Sequence, residues 1–595
     1  MLVEGGETTT HHLGSPWSVE TDGNRLAFDV YAGPTPAVAL ARFTAHVGRQ
    51  PPARAPFFFG PWWQPSGADS ANVETLRRAG ALGSVAQTYT HYLPCGSQQG
   101  HEDAQRQMVA RLHAAGLAVT TYFNPMICTT YEPRYTQARD RSVLTKDATG
   151  RPYVYRYTGA GQFLVSQFDF SAPGAAAFFG DLLDEAVRDG YDGWMEDFGE
   201  YTPTDSRSAD GSPGTAMHNR YPTLYHGAAY AYQRDRARRP LARFNRSGWT
   251  GAAAVSQIVW GGDPSTGWGF DGLTSAVRNG LSMGLSGVSL WGSDIGGYFA
   301  LTLPQTTPEL ERRWIEAGFA QGVMRTEADG FSVAGGRRAQ IFDPDVLPVW
   351  ARYARLRTQL YPYLAAAQRT YDATGLPLMR QLALAYPDDE RAAALDDEYL
   401  FGPDLLVAPV LVPGATRRQV HLPQGRWVDL WRSVRLDAAG APRLRAPRVL
   451  SGGRDVTLPA PADELPLLVR HGAILPLLPA DVQTLTGYGK GVVHLGDRPA
   501  RRTLLAWPAV GPAAVAHPAG DATVRSALRR DGRWVLRVAQ HQRRRFDLQV
   551  AIARRPCRLT VAGRRARFTY AGGVLRASVR IGSGAIVARP RCSSA

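Results

Sequence analysis

The sequence predicts a (β/α)8 barrel followed by β-rich domains, and three observations carry that expectation. Eight short, mostly apolar strand-like segments recur between Phe57 and Ala328. Amphipathic helical patterns separate most of them. After about residue 375 the pattern changes to short β runs broken by Gly and Pro. Repeated β-α units imply a parallel sheet, and eight of them imply a closed barrel.

The eight strand segments are Phe57–Trp63, Gly83–His91, Leu117–Pro125, Gly193–Glu200, Leu241–Gly248, Ser256–Asp263, Gly287–Gly297 and Gly322–Ala328. They are aromatic or β-branched, as strands buried on both faces should be. Gln105–Ala115 sets Met108 and Leu112 four residues apart, and Ala175–Arg188 does the same with Phe178, Leu182 and Ala186, which is helical spacing. Ala228–Arg239, Leu273–Gly284, Glu309–Gln321 and one long helix around Val349–Thr374 continue the alternation. The expected domains are residues 1–50 as the remnant of a β-sandwich, 51–375 as the barrel, and 376–478 and 479–595 as proximal and distal β domains. The stretch from about 127 to 170, rich in tyrosine, exceeds an ordinary βα loop and is expected to form an inserted subdomain. Its tyrosines suit either sugar stacking or local packing.

Composition bounds the function. At 44% hydrophobic and 20% charged, the chain is globular. No uncharged apolar run is long enough to cross a bilayer, so no membrane span is expected. The opening residues lack a basic and an apolar region, so no signal peptide is expected there, and a cytoplasmic location is slightly favoured. The net charge of +15 comes almost wholly from Arg, since Lys occurs only at Lys146 and Lys490. A polyanion-binding surface and a general preference for Arg over Lys both account for this. The scatter of Arg favours the second, and the dense stretch with Arg543, Arg544, Arg545, Arg554, Arg555, Arg564 and Arg565 lacks the interleaved aromatics of a nucleic-acid groove. Cys95, Cys128, Cys557 and Cys592 form no CxxC or zinc spacing. Cys557 and Cys592 suit either a disulfide or free buried thiols.

Barrel enzymes place their chemistry at the C-terminal strand ends. Here three of those ends are acidic and flanked by Trp and Gly: Trp194 to Glu200, Trp260 to Asp263, and Trp291 to Gly297. Trp faces stack on sugar rings. Two carboxyl groups about 5–5.5 Å apart serve a retaining glycosidase as nucleophile and acid/base. Asp197 on strand four and Asp263 on strand six make a reasonable pair. A lone Asp after a strand is usually a cap or a solvated loop acid, and three in this context lower that alternative.

From about residue 30 onward the chain resembles glycoside hydrolase family 31. The resemblance rests on Tyr31 to Pro36, on Tyr122-Phe123-Asn124-Pro125 and, most specifically, on Asp197-Phe198-Gly199-Glu200, in the form of the α-xylosidase and sulfoquinovosidase branch. Trp260 to Asp263, Ser293 to Tyr298, Leu360 to Leu364 and Gly402 to Pro409 extend it. It implies a retaining α-glycosidase with Asp197 as nucleophile, Asp263 as acid/base and Arg246 as a glycon-binding residue. Trp194, Trp260, His91, Asp294, Arg325 and Glu327 are further candidate substrate contacts. Neither a metal nor an organic cofactor is implied. Expected partners are an oligosaccharide or small glycoside, with no nucleic acid and no membrane, and homo-oligomerisation is open.

Departures from the family pattern narrow the glycon. The segment Gln87 to Cys95 lacks an acid that many members carry after strand two, where His91 could substitute or simply pack. The strand-eight His is replaced by Glu327 in Arg325-Thr326-Glu327. The stretch Leu93–Gly100 lacks the Arg and Trp with which sulfoquinovosidases hold a sulfonate. The expected substrate is therefore a neutral α-glucoside or α-xyloside. Transglycosylation, sulfoquinovoside hydrolysis, α-glucan lyase activity and a non-catalytic carbohydrate-binding role are the alternatives.

Overall fold

The computed structural model describes residues 2–4, 9–12, 18–21, 27–65, 69–157, 163–333 and 335–590. Cys592, the disulfide partner the sequence offers for Cys557, lies outside them. The parallel strands are, in chain order, β1 (Pro61–Trp63), β2 (Val85–His91), β3 (Ala118–Phe123), β4 (Gly193–Glu196), β5 (Ala242–Asn245), β6 (Ile258–Trp260), β7 (Trp291–Gly292), β8 (Asp294–Ile295) and β9 (Met324–Thr326). Each lies within one of the eight expected segments. The seventh segment supplies two strands, β7 and β8, interrupted at Ser293. Together with the intervening helices these strands make the (β/α)8 barrel.

The chain divides into two compact units. The first comprises Met1–Ala55, Ala86–Ala114 and Ala118–Gly262, and the second Pro56–Val85, Ala115–Leu117 and Asp263–Ala595. In the first unit the strand order is β6-β5-β4-β3-β2. Its helices Glu102–Ala115, Ala175–Arg188 and Gly214–Asp235 alternate with the strands. The last begins at Gly214, well before the expected Ala228, because its polar first turns hide the apolar period. Its own stripe of Met217, Tyr221, Tyr225 and Ala229 at intervals of four is buried. The insertion holds a three-stranded antiparallel sheet, Met126–Cys128, Leu164–Gln167 and Tyr155–Arg156, and the helix Arg134–Asp140. Within 1–50, residues Pro36–Val47 are helical. Thr35 caps this helix by accepting from the Val38 amide, and Pro36 sits at its first position.

In the second unit β1, β9 and β8 are consecutive neighbours. The expected single helix over 349–374 is two, Leu347–Gln359 and Tyr361–Thr374. Pro362 explains the break, since it has no N–H to donate to the preceding turn and its ring clashes with that turn's carbonyl. A six-stranded antiparallel sheet follows, running from Met379–Gln381 to Val449–Ser451 in spatial order, with a core of Leu400, Leu406, Trp427 and Leu468. The distal sandwich packs a five-stranded sheet on a six-stranded one around Trp534, Phe546, Leu548 and Ile586. The strand Ile474–Leu477 pairs with Arg501–Ala506 of the five-stranded sheet, so hydrogen bonding places it with the distal sandwich. Among the described residues no helix is long and apolar enough to cross a membrane.

Candidate active site

Asp197 follows directly on β4, where the strand ends and the backbone turns sharply. Its amide donates to the Phe123 carbonyl of β3 at 2.9 Å. The next residue, Phe198, has φ +61°, a left-handed conformation that a bulky residue rarely adopts. This turn aims the Phe198 amide back at Asp197 Oδ1, 2.8 Å away. The other oxygen, Oδ2, accepts from the Tyr122 hydroxyl at 2.6 Å. Burial first, and the Asp197 charge next, push the Tyr122 phenol well above its ordinary pKa. It therefore stays protonated and remains a donor. Arg246 completes the setting, with Nε 3.2 Å from Asp197 Oδ1 and the guanidinium also paired to Glu200 at 2.8 Å. Its cation lies 4.8 Å from the Phe198 ring centroid, close enough for a cation–π contact.

A buried network holds the strained turn in place. Arg243 and Glu196 form an ion pair at 2.7 Å, and both side chains are 1% exposed. Burial would raise the Glu196 carboxyl, but Arg243 and His226 more than offset it and hold it below the usual range. His226 Nδ1 lies 2.9 Å from Glu196, and Nε2 lies 3.0 Å from Ser247 Oγ. Ser247 in turn donates to the Phe198 carbonyl at 2.6 Å. Gly199 is required beside it, having φ +110° and a position where a Cβ would sit 2.6 Å from Ser247 Oγ. Strain at this turn persists because its surroundings over-determine it.

Sequence reading missed Tyr122, His226 and Ser247 as parts of this arrangement. Tyr122 stood in a quoted motif, but its spacing from Asp197 in sequence says nothing of their meeting. His91, at the end of β2, stacks on Tyr122 with ring centroids 4.1 Å apart. Desolvation lowers its imidazole pKa, and the Asp197 charge pulls it part of the way back. Beside it, Tyr89 lies 6.0 Å from Tyr122, and Tyr157 of the insertion lies 5.4 Å from Phe198. Asp197, Arg246 and His91 are thus brought together within one unit, in an aromatic setting.

The two tryptophans expected to stack on sugar are a correction. Trp194 is 0% exposed. It packs edge-on to Phe123 and tilted against Tyr232, and its Nε1–H donates to Glu196 at 3.1 Å. Trp260 is 2% exposed and meets Phe244 edge-on. Side chains alternate along a strand, and these two point into packing, with no open face for a sugar ring. Asp263 is half-buried, three residues beyond the end of β6.

In the second unit Asp294, Arg325 and Glu327 form a buried charge cluster. Arg325 pairs with Asp294 and lies 3.9 Å from Glu327. The Glu327 amide donates to the Ile295 carbonyl, and its carboxylate accepts from the Asp329 amide at 3.3 Å. These charges are committed to one another.

The loop after β2 carries a feature absent from the sequence reading. Cys95 and Cys128 form a disulfide, with Cα atoms 4.9 Å apart. It joins that loop to the inserted sheet. Gln98 in the same loop donates to Tyr131 and Glu185, and the Ser97 amide and hydroxyl both donate to the His91 carbonyl. Cys557 is also disulfide-bonded.

Comparison with known proteins agrees with this architecture. The family model described as the glycosyl hydrolases family 31 TIM-barrel domain matches residues 96–367, and the family 31 C-terminal domain matches residues 375–475. A sulfoquinovosidase of Agrobacterium fabrum is 34% identical over 60% of this chain and 52% of its own length. An isomaltosyltransferase of Sporosarcina globispora is 32% identical over 66% of this chain and 35% of its own. The chain thus spans about half the length, or less, of these curated relatives. Among solved structures, a family 31 dextranase of Flavobacterium johnsoniae complexed with isomaltotriose superposes with a TM-score of 0.82 at 19% identity, covering 98% of this chain and 77% of the other. At that identity it speaks for the fold alone. A family 31 sulfoquinovosidase from E. rectale gives a TM-score of 0.64 at 27% identity, covering 74% and 66%. With both domain models matched in order along one chain, the protein belongs to family 31 of the glycosyl hydrolases.

Proposed function

We propose that the protein is a retaining, exo-acting α-glycosidase that cleaves a neutral terminal glycon, glucose or xylose, through a covalent glycosyl-aspartate. The observation that carries this reading is the setting of Asp197. One carboxylate oxygen faces the Phe198 amide and Arg246, the other the Tyr122 hydroxyl. Donors on both oxygens and an adjacent cation favour the ionised form, which is the form a nucleophile needs. Asp263 is the acid/base, protonating the leaving oxygen and then activating water. It takes that role from the family motif around Trp260 to Asp263.

The neutral glycon follows from the loop after β2. From Leu93 to Gly100 it contains neither Arg nor Trp, and its polar side chains are engaged: Ser97 on the His91 carbonyl, Gln98 on Tyr131 and Glu185, and Gln99 on the Glu132 carbonyl. His91 and Arg246 remain as hydroxyl-binding groups beside Asp197. A second reading, hydrolysis of sulfoquinovosides, is favoured by the names of the Agrobacterium fabrum and Escherichia coli relatives. A hydrolysis screen of nitrophenyl α-glucoside, α-xyloside, α-galactoside and α-sulfoquinovoside decides between them. Fastest kcat/KM on glucoside or xyloside supports the first reading, and fastest on sulfoquinovoside replaces it with the second.

A further inference from the structure

The positive charge of this chain is concentrated in one domain. From Asp481 to the end, 115 residues contain 22 Lys and Arg against 5 Asp and no Glu, a net of +17. The preceding 480 residues hold 45 basic and 47 acidic side chains, a net of −2. The whole excess of +15 therefore belongs to the distal sandwich. A preference for Arg over Lys explains which basic residue appears. It does not explain why acids almost vanish from this domain alone.

The fold then arrays part of that charge on one face. In the six-stranded sheet, Trp534, Leu536 and Val538 point into the core, so Val535, Arg537 and Ala539 face outward. Arg525 stands directly opposite Arg537 on the neighbouring strand, and Arg558 stands directly opposite Arg589. All four are exposed. Arg565 is exposed on the same face, opposite Thr560. Like charges directly across a ladder destabilise a sheet, yet none of these five arginines has a carboxylate partner among the described residues. Among the described residues the face carries no Phe, Tyr or Trp: the remaining positions across these rows are Val515, Ala527, Val535, Thr560, Ala585 and Val587, and the exposed His517 imidazole beside them is engaged by the Thr523 hydroxyl at 3.2 Å. Without a Phe, Tyr or Trp on which a base or sugar could stack, and with five guanidinium groups unpartnered among the described residues, recognition there is ionic. Guanidinium groups suit this, since their planar fork matches carboxylate and sulfate oxygens.

We propose that this face of the distal sandwich is a docking surface for an acidic polysaccharide, held through its carboxylate or sulfate groups by Arg525, Arg537, Arg558, Arg565 and Arg589. Flat, stack-free binding of a polyanion distinguishes it from a single-stranded nucleic-acid platform, which interleaves aromatics with its cations. The surface is separate from the hydrolytic chemistry proposed above, and the test reads binding, not turnover.

The experiment measures binding of the full chain to dextran sulfate, to uncharged dextran and to duplex DNA at matched salt. Dextran sulfate is expected to bind at least tenfold more tightly than dextran, with affinity falling steeply as salt rises. The variant R525Q/R537Q/R558Q/R589Q should lose at least tenfold in affinity for dextran sulfate. Its hydrolysis of a small glycoside should stay unchanged and its Tm should not fall, because like-charge pairs are relieved. A second variant, K490Q/R530Q/R554Q/R555Q, removes the same charge from turns and loops outside the sheet, and should bind within about twofold of the parent. Equal binding of dextran and dextran sulfate by the unaltered chain overturns the proposal. So does equal loss in both variants, which would make net charge and not this face responsible, and so does a marked fall in Tm of the first variant. Tighter binding of DNA than of dextran sulfate would reassign the face to nucleic acid.

Discussion

Tyr122 donates its hydroxyl to Asp197 Oδ2 at 2.6 Å, from the strand next to the one that Asp197 follows. This joins β3 to the carboxylate proposed as nucleophile. A hydrogen bond to a charged group contributes about 1.5–3 kcal/mol. Tyr122→Phe should therefore slow formation of the glycosyl ester by roughly 10- to 100-fold. The rate of inactivation by a 5-fluoroglycosyl fluoride measures that step directly. An unchanged rate would leave Tyr122 with a packing role only.

Asp197→Ala should abolish turnover, and the 5-fluoroglycosyl label should be found on Asp197 after proteolysis and mass spectrometry. Glu196 is committed to Arg243 and His226, and Glu200 to Arg246. Label on either of them would mean that the nucleophile was assigned to the wrong carboxylate.

Asp263→Ala should slow release of a sugar leaving group far more than release of dinitrophenol, which needs little protonation. Azide should restore turnover of the activated substrate and yield the α-glycosyl azide, because azide attacks the β-linked intermediate from the face water would use. Equal losses on both substrates, with no azide product, would move the acid/base role elsewhere, and Asp294 would be tested next.

The Cys95–Cys128 disulfide closes a loop of 33 residues, which the chain-entropy model values at about 3–4 kcal/mol of stability. Cys95→Ser/Cys128→Ser should lower Tm accordingly. It should also raise KM, because His91 is held by Ser97, two residues from Cys95. Thermal melts with and without reductant, alongside substrate kinetics, read both effects. A lower Tm with unchanged KM would separate the disulfide from the glycon site.

Glu311 is wholly buried, and burial pushes its carboxyl up to about 8, with Arg338 partly opposing and Asp343 adding to the rise. In the unfolded chain it titrates near 4.5. Between those values the folded state holds a proton that the unfolded state has released. Stability from this group is therefore full below about pH 4.5 and is lost as pH rises toward 8, by on the order of a few kcal/mol. Glu311→Gln, which cannot ionise, should gain stability relative to the parent as pH goes from 5 to 9. Denaturant unfolding at several pH values tests the sign, and a constant difference would contradict it.

The sequence by itself determined the barrel, its eight strand segments and the candidate carboxylate at the end of strand four. Burial on both faces leaves a continuous apolar run, and a βα repeat leaves an alternation of periods, so both are written locally. The same local reading failed where local signals compete. Pro362 split a helix whose apolar period runs on, and the polar first turns of Gly214–Asp235 concealed a buried stripe. Only the tertiary structure decided what surrounds Asp197. Tyr122 and Arg246 are both distant from it along the chain, and which strand faces meet depends on sheet order and register, which no spacing encodes. It likewise turned Trp194 and Trp260 into wall packing, because side-chain alternation about a strand end flips with a single step of register. Cys95 and Cys128 pair for the same reason: the insertion folds back on the loop after β2. Charge behaves the other way. The count of acids and arginines in the distal domain is plain in the sequence, but only the cross-strand register puts Arg525 beside Arg537 and Arg558 beside Arg589 on one exposed face.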